Sequence, residues 1–431
     1  MENEKLQNKK KFDYKWIIVA VCALMIFVGL GFCSSIKGLF LEPITKYTGI
    51  ERSLFSFNGS IRYITTSIVN IFFGLLIAKL GVKVLVGSGF LSLCISMVLY
   101  GVGQSVWVFY LAGMFLGLGL AWTTTTIIGY VVNKWCKKNR GTILGAILAT
   151  NGLGGALATQ IVSPIIVSAP DGYKKAYFLI AIIVAIIGVL AVIFLKDKKK
   201  DDEEQAESSP KKKSRGESWV GIDSKTALRK PYFYGAAVCI FFTGMVLQGI
   251  TSIAPAHMKD VGLDNTFYSA IISAGMIILT CTKFLTGFMY DKLGLRITIT
   301  INYVASVIAM AALAFLNSGD LGRALCVIYI ITANVALPLE TIMLPIYASD
   351  LFGEKSYGKM LGIFVSINTA GYALGEFVLN LCYDLMGTYQ SALLFCAGLM
   401  LVVIVVLQFV INASNKQKRL IQSEFSDAVK I

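Results

Sequence analysis

The sequence predicts an all-α membrane protein with twelve transmembrane helices in two six-helix, pseudo-symmetric halves. Three observations carry this. Hydrophobic residues make up 56% of the chain and charged residues 15%, with a mean hydropathy of +0.71. Soluble domains carry about a quarter charged residues. Apolar runs of about 20 residues, the length that crosses a bilayer as a helix, recur twelve times. Finally, the chain repeats itself. GLLIAKLGVK from Gly74 returns as GFMYDKLGLR from Gly287, so that Gly74, Lys79, Gly81 and Lys83 match Gly287, Lys292, Gly294 and Arg296 at a constant offset of 213. Trp135, Gly141, Gly145, Asn151 and Gly154 match Phe352, Gly358, Gly362, Asn368 and Gly371 at an offset of 217. A repeat of half the chain length marks two copies of one unit.

In order, the basic segment 1–15 precedes an apolar run that is too long for a signal peptide and lacks a small-residue cleavage site, so it reads as the first span. Helices one to six are predicted near 16–41, 53–78, 83–102, 106–133, 141–167 and 173–195. The stretch 196–230 is rich in Lys, Asp and Glu, too polar to fold alone, and reads as a solvated linker. Helices seven to twelve are predicted near 231–255, 265–290, 296–316, 321–348, 357–383 and 388–412, with a short polar tail after them. The expected units are therefore 1–195, 196–230, 231–412 and 413–431. On alternate sides of these spans, 30 of the 39 Lys and Arg fall on one side and 6 on the other, which predicts cytoplasmic termini. The net charge of +14 lies in short clusters between apolar runs, without the basic, aromatic-studded face that would suggest nucleic acid. Nine cysteines with no CxxC or Cys/His cluster predict neither a metal nor a disulfide framework. No GxxxxGK[ST] loop suggests a nucleotide-driven pump. No cofactor and no obligate protein partner are expected.

Ionisable residues inside spans cost about 2.5–3.5 kcal/mol on insertion scales and are functional candidates by default. Lys283 falls near the middle of helix eight and is read as an anchor for a substrate carboxylate; the competing reading is a permanent pair with Glu340 or Glu376. Lys37, late in helix one, either lines a central cavity or snorkels to the headgroups. Arg62, within helix two, suits a cavity or gate. Glu340 lies between Pro338 and Pro345, where missing amide donors free carbonyls toward a cavity. Glu376 on helix eleven is a buried acid, and it and Glu340 are the candidate proton-coupling groups. Asn70, the duplicate position of Lys283, joins Asn368 and Tyr268 as polar cavity candidates. His257 could sense pH at the end of helix seven, but a single exposed histidine there is more often incidental.

Twelve spans, a long polar linker and the Gly-x-x-x-Asp-Lys-x-Gly-x-Arg turn together resemble the major facilitator superfamily. The spacing of Lys283, Gly287 and Asp291, with WCKKNRG from Trp135 and LFGEKSYGKMLG from Leu351, is similar to its monocarboxylate and oxalate/formate transporter group. The group's usual helix-eight Arg is Lys283 here, its helix-eleven Lys aligns with Asn368, and its later Gly-Pro reads Gly375-Glu376, so oxalate is not the expected substrate. The resemblance implies a gating latch: Asp291 at the start of helix five, next to Arg140, with Gly74, Gly287, Lys292 and Arg296 in the same turns. Ala78 stands where the first-half turn would carry the matching acid. The reading that follows is a secondary transporter for a small organic anion, a monocarboxylate first, coupled to protons or working by exchange, in a bacterial inner membrane. A cation or drug exporter, or a zwitterion carrier, using Glu340 and Glu376 is the alternative. A sensor that binds without transporting comes last.

Overall fold

The computed structural model describes residues 14–136, 138–195, 221–386 and 388–428, which are helical apart from short connections. Helix one runs over 14–48 in three pieces: Tyr14–Ile26, a π-helical stretch Phe27–Ser35, and Gly38–Thr48. Helix two begins as Arg52–Ile71 and continues past a break at Phe72 to the turn at Gly81, where helix three begins and runs to Val102. Helix four is Val106–Thr123 plus Thr125–Trp135, helix five Arg140–Val167 and helix six Gly172–Phe194. Helices seven, eight and nine are Pro231–Asp260, Asn265–Leu293 and Leu295–Ala314. Helix ten is Asp320–Ala336, a 3-10 turn Leu337–Glu340, and Met343–Phe352; helices eleven and twelve are Tyr357–Met386 and Gln390–Ala428.

The duplication is visible in the backbone. Gly81 (φ 75°, ψ 172°) and Gly294 (φ 82°, ψ 174°) make the same left-handed turn after helices two and eight. A side chain would be strained there, which is why both copies keep glycine. Helix four breaks at Thr124 and helix ten at Leu337–Thr341, at corresponding positions. Pro338 accounts for the second break by removing an amide donor.

Glycines then let the halves approach. A Cβ on Gly145 would lie 2.6 Å from the carbonyl oxygen of Lys283, and one on Gly362 would lie 2.4 Å from that of Asn70. These are duplicate contacts, one in the seam between helices five and eight, the other between helices two and eleven. Gly287 meets the Gly141 oxygen (2.0 Å to an added Cβ) and Gly74 meets the Lys359 backbone (2.6 Å). Ser67 and Ser366 exchange hydrogen bonds across the second seam, and Tyr63 packs edge-on against Tyr372 with ring centroids 5.5 Å apart. The described seam contacts thus run from the end that carries the Gly81 and Gly294 turns, here the turn end, to the middle of the bundle.

Among the described residues, nine helices are long and apolar enough to cross a membrane on composition alone. Helices two, eight and eleven are not among those nine, helix two because Asn58, Arg62 and Asn70 dilute its apolar run without shortening it. Their outer faces stay apolar, with Phe57 and Ile68 of helix two, Phe284 of helix eight and Leu381 of helix eleven all exposed, as a lipid-facing surface requires.

Three expectations are corrected. Helix twelve does not stop at 412 but continues to Ala428, because the polar tail keeps good helix formers and lacks glycine and proline. Helix one extends past Pro43 to Thr48. The last residues of the linker are not a free tether: Ile222 donates its amide to the Phe352 carbonyl, Asp223 caps a short helix Ser224–Leu228, and Ala227 is fully buried. The linker residues 196–220 lie outside the described residues.

Candidate functional site

A cavity of about 190 Å³ sits between the halves at the middle of the bundle. The breaks in helices four and ten flank it, so Thr124, Thr126 and Glu340 reach it from interrupted backbone. Helix two contributes Arg62 and Asn70, helix eleven Asn368.

Arg62 is 9% exposed. Its guanidinium donates to the Ser34 hydroxyl (2.8 Å) and lies over the Tyr63 ring (4.2 Å). No ion pair with a carboxylate is recorded for it among the described residues. Across the cavity, Glu340 is 7% exposed and its Oε1 has no hydrogen-bond partner. The Tyr372 hydroxyl is its neighbour. Asn70 is held by the Thr66 carbonyl and by the Thr126 hydroxyl (3.0 Å), and Asn368 donates to the Ile240 carbonyl (3.1 Å).

Lys283 does not line this cavity. It is 4% exposed and its ammonium points across the seam at the Leu148 carbonyl, 3.5 Å away. It interacts with the charge of Glu340 without an ion pair within 4.0 Å. Lys37 also lies off the lining. Its ammonium donates to the Asn58 side-chain carbonyl, which accepts from the Tyr100 hydroxyl as well (2.8 Å). Lys37 therefore neither snorkels nor faces the cavity, because helix one kinks at Ile36 and turns it toward helix two. The side chains of Glu376 and Tyr268 lie outside the described residues. His257 is not exposed: it is 7% exposed, with Nε2 3.0 Å from the Leu313 carbonyl.

At the turn end, Asp291 accepts from the amides of Gly141 (3.1 Å) and Thr142 (2.7 Å) and from the Thr142 hydroxyl (2.6 Å). A carboxylate at a helix N-terminus satisfies orphan amides and the positive end of the dipole together. Arg140 is not its partner. The guanidinium pairs with Asp350 at the end of helix ten and donates to the Tyr290 hydroxyl, which donates in turn to Asp350 (2.8 Å). Asp350 went unread because the duplicate position is the uncharged Asn133, yet Arg140 reaches Asn133 too (3.3 Å). Tyr357, the duplicate of Arg140, donates across the other seam to the Gly129 carbonyl (2.8 Å). Lys292 and Arg296 take no part in either seam. Lys292 lies over the Phe288 ring and Arg296 donates to Asn412 of helix twelve. Tyr63, Tyr372, Ser34 and Asn58 were also missed, because no duplicate position or motif sets them apart from the many other Tyr, Ser and Asn residues of the spans.

Two duplicated six-helix units, clamped at one end around a polar cavity in the middle, define a membrane transporter rather than an enzyme. The chain belongs to the Major Facilitator Superfamily, whose family model matches residues 17–376. Among its relatives, the sialic acid transporter NanX of Escherichia coli K12 is 22% identical over 73% of this chain and 74% of its own length. The multidrug resistance protein MdtG of Proteus mirabilis is 23% identical over 78% of this chain and 80% of its own. The solved proton:xylose symporter XylE superimposes with a TM-score of 0.73 at 13% identity, covering 92% of this chain and 96% of the symporter, a likeness of fold.

Proposed function

We propose that this transporter carries a small organic anion, a monocarboxylate first, by alternating access. The observation that supports it most is the facing pair in the central cavity: a buried guanidinium, Arg62, with no carboxylate partner among the described residues, opposite a buried acid, Glu340, with an unpartnered oxygen. A substrate carboxylate would take the fork geometry that guanidinium offers. A proton on Glu340 would cancel the second charge, and a loaded interior with fewer net charges is easier to enclose while the halves rock about the midplane. Lys283 remains the charge partner of ionised Glu340 from the helix-five side, and Glu376 is held in reserve as a second proton site. About 190 Å³ suits a small acid, being below the roughly 300–1,000 Å³ of pockets for drug-sized ligands. Sialic acid, carried by one relative, is itself a carboxylic acid.

The Lys and Arg asymmetry supports a cytoplasmic turn end, and a bacterial inner membrane is the setting of this reading. This conformation is then closed inside, with 1–195 and 231–412 as the rocking units. The facing charges also suit a zwitterion, its amine on Glu340, and that reading is kept second.

Uptake of labelled lactate, acetate, pyruvate, formate and oxalate into proteoliposomes, with and without an inward proton gradient, tests the proposal. Loss of the guanidinium in Arg62→Gln should raise KM for the carried acid about 10- to 100-fold, the worth of one hydrogen bond to a charge. Glu340→Gln should abolish stimulation by the gradient. If Arg62→Gln transports like wild type while Lys283→Ala does not, the anchor is Lys283. If no acid is carried, the anion reading is wrong.

A further inference from the structure

The pseudo-symmetry of the two seams breaks at the helix cap. In one seam Asp291 caps the first amides of helix five. In the other, the duplicate of Asp291 is Ala78, and the duplicates of Gly141 and Thr142 are Gly358 and Lys359, at the start of helix eleven. The first amides of a helix have no acceptor within it, and its positive end favours an anion. Ser356, just before this helix, is 3% exposed, and its hydroxyl has no hydrogen-bond partner.

A cavity of about 1040 Å³ opens at this spot, with Ala78, Ser356, Gly358 and Lys359 in its wall. Four lysines line it against one acid, Glu354. Three of them, Lys79, Lys355 and Lys359, are exposed. One side of the same wall is apolar: Ile71, Phe72 and Leu75 of helix two, 52%, 54% and 55% exposed.

We propose that this groove binds an anionic phospholipid. Its phosphate takes the place over helix eleven that the Asp291 carboxylate fills over helix five, held by the Ser356 hydroxyl, the first-turn amides and the three exposed lysines. Its acyl chains lie along Ile71, Phe72 and Leu75. A free phosphate would use the same polar groups and leave that apolar wall uncovered, so the lipid is the occupant that accounts for both sides. Lys79 belongs to the first half, and Lys355 and Lys359 to the second. A lipid bridging them supports closure of the turn end, whatever the substrate.

Native mass spectrometry of the full-length protein, released from micelles holding equal phosphatidylglycerol and phosphatidylcholine with the same acyl chains, tests this without transport. Phosphatidylglycerol should be retained in preference. The combined Lys79→Gln, Lys355→Gln and Lys359→Gln variant should lose about fivefold in that affinity per lysine and keep its weak retention of phosphatidylcholine. Ser356→Ala should lose about 2- to 10-fold. Equal retention of the two lipids, or a lysine variant that behaves as wild type, overturns the proposal. So does displacement of phosphatidylglycerol by millimolar inorganic phosphate, which would make the groove a soluble-phosphate site. A gain in lipid affinity when Asp201, Asp202, Glu203 and Glu204 are changed to their amides would assign the groove to the linker and also overturn it.

Discussion

Arg62 and His257 show how little a residue's identity says before its surroundings are known. Both are basic groups, Arg62 within one apolar run of the sequence and His257 just past the end of another, yet the first faces the cavity and the second is sealed against the Leu313 carbonyl. The environment of His257, two residues past the apolar span Pro231–Pro255, makes a prediction. Burial lowers its pKa, partly offset by its contact with the Leu313 carbonyl and the charge of Asp260. The folded protein therefore binds that proton less readily than the unfolded chain, whose histidine titrates near 6.5. The sign follows: the contribution to stability is complete above about pH 6.5, is lost as pH falls below it, and levels off below the folded pKa. Thermal unfolding in detergent from pH 8 to pH 5 should show wild type losing Tm in this window and His257→Gln, though less stable at pH 8, losing less. Equal slopes would mean that other groups set the acid response. In the sequence, Arg62, Glu340, Asn70 and Asn368 were legible as cavity residues because a polar group in a span must find water or a partner. Lys283 was legible as buried, but not as facing away from the cavity, since that depends on the seam; Lys37 was legible only as a choice between cavity and headgroups, since its direction depends on the kink in helix one.

At the scale of elements, the spans were legible because a bilayer imposes one length and one composition, and their ends were less so because water sets no such limit. Helix twelve outran its apolar run for that reason. The duplicated glycines were legible as a pattern, while their purpose emerges only where two helices touch. Gly287 is the sharpest case, since an added Cβ would lie 2.0 Å from the Gly141 oxygen. Backbone oxygen cannot swing aside as a flexible side chain can, so Gly287→Ala must part helices five and eight and pull Asp291 off its amides. Overpacking of this kind costs about 1–3 kcal/mol, which shifts the balance toward the state open at the turn end by about 5- to 150-fold. A single cysteine at Ser349, 1% exposed in the closed state, should react faster with a polar maleimide applied from the turn side in the Gly287→Ala background. Gly398, where an added Cβ meets nothing within 4 Å, supplies the control: Gly398→Ala should leave the rate unchanged. If both variants label like wild type, the close approach is not what holds the end shut.

For the whole molecule, the duplication explains why one contact recurs in two seams and why the two seams are nevertheless unequal. Helices five and eight are latched by Asp291, and Arg140 of helix five adds the ion pair with Asp350 of helix ten; among the described residues, the seam of helices two and eleven shows no such acid and rests on close backbone contact, Tyr357 and the Ser67–Ser366 pair. The weaker seam is then the natural one to lock artificially. Ser67 and Ser366 lie with hydroxyls 3.2 Å apart across it, in different halves. Cysteines at both positions, in a background with the nine native cysteines replaced, should form a disulfide under mild oxidation, because their side chains already converge within the short Cβ separation that such a bond needs. Alternating access requires this seam to open at the turn end once per cycle. Oxidation should therefore stop uptake in proteoliposomes, reduction should restore it, and substrate entering from the opposite end should still bind to the oxidised protein. The split between binding and uptake carries the argument: a crosslink that merely distorted the cavity would abolish both. Uptake that continued with the disulfide formed would mean that the halves do not part along helices two and eleven, and the rocking motion would have to be sought in the other seam alone.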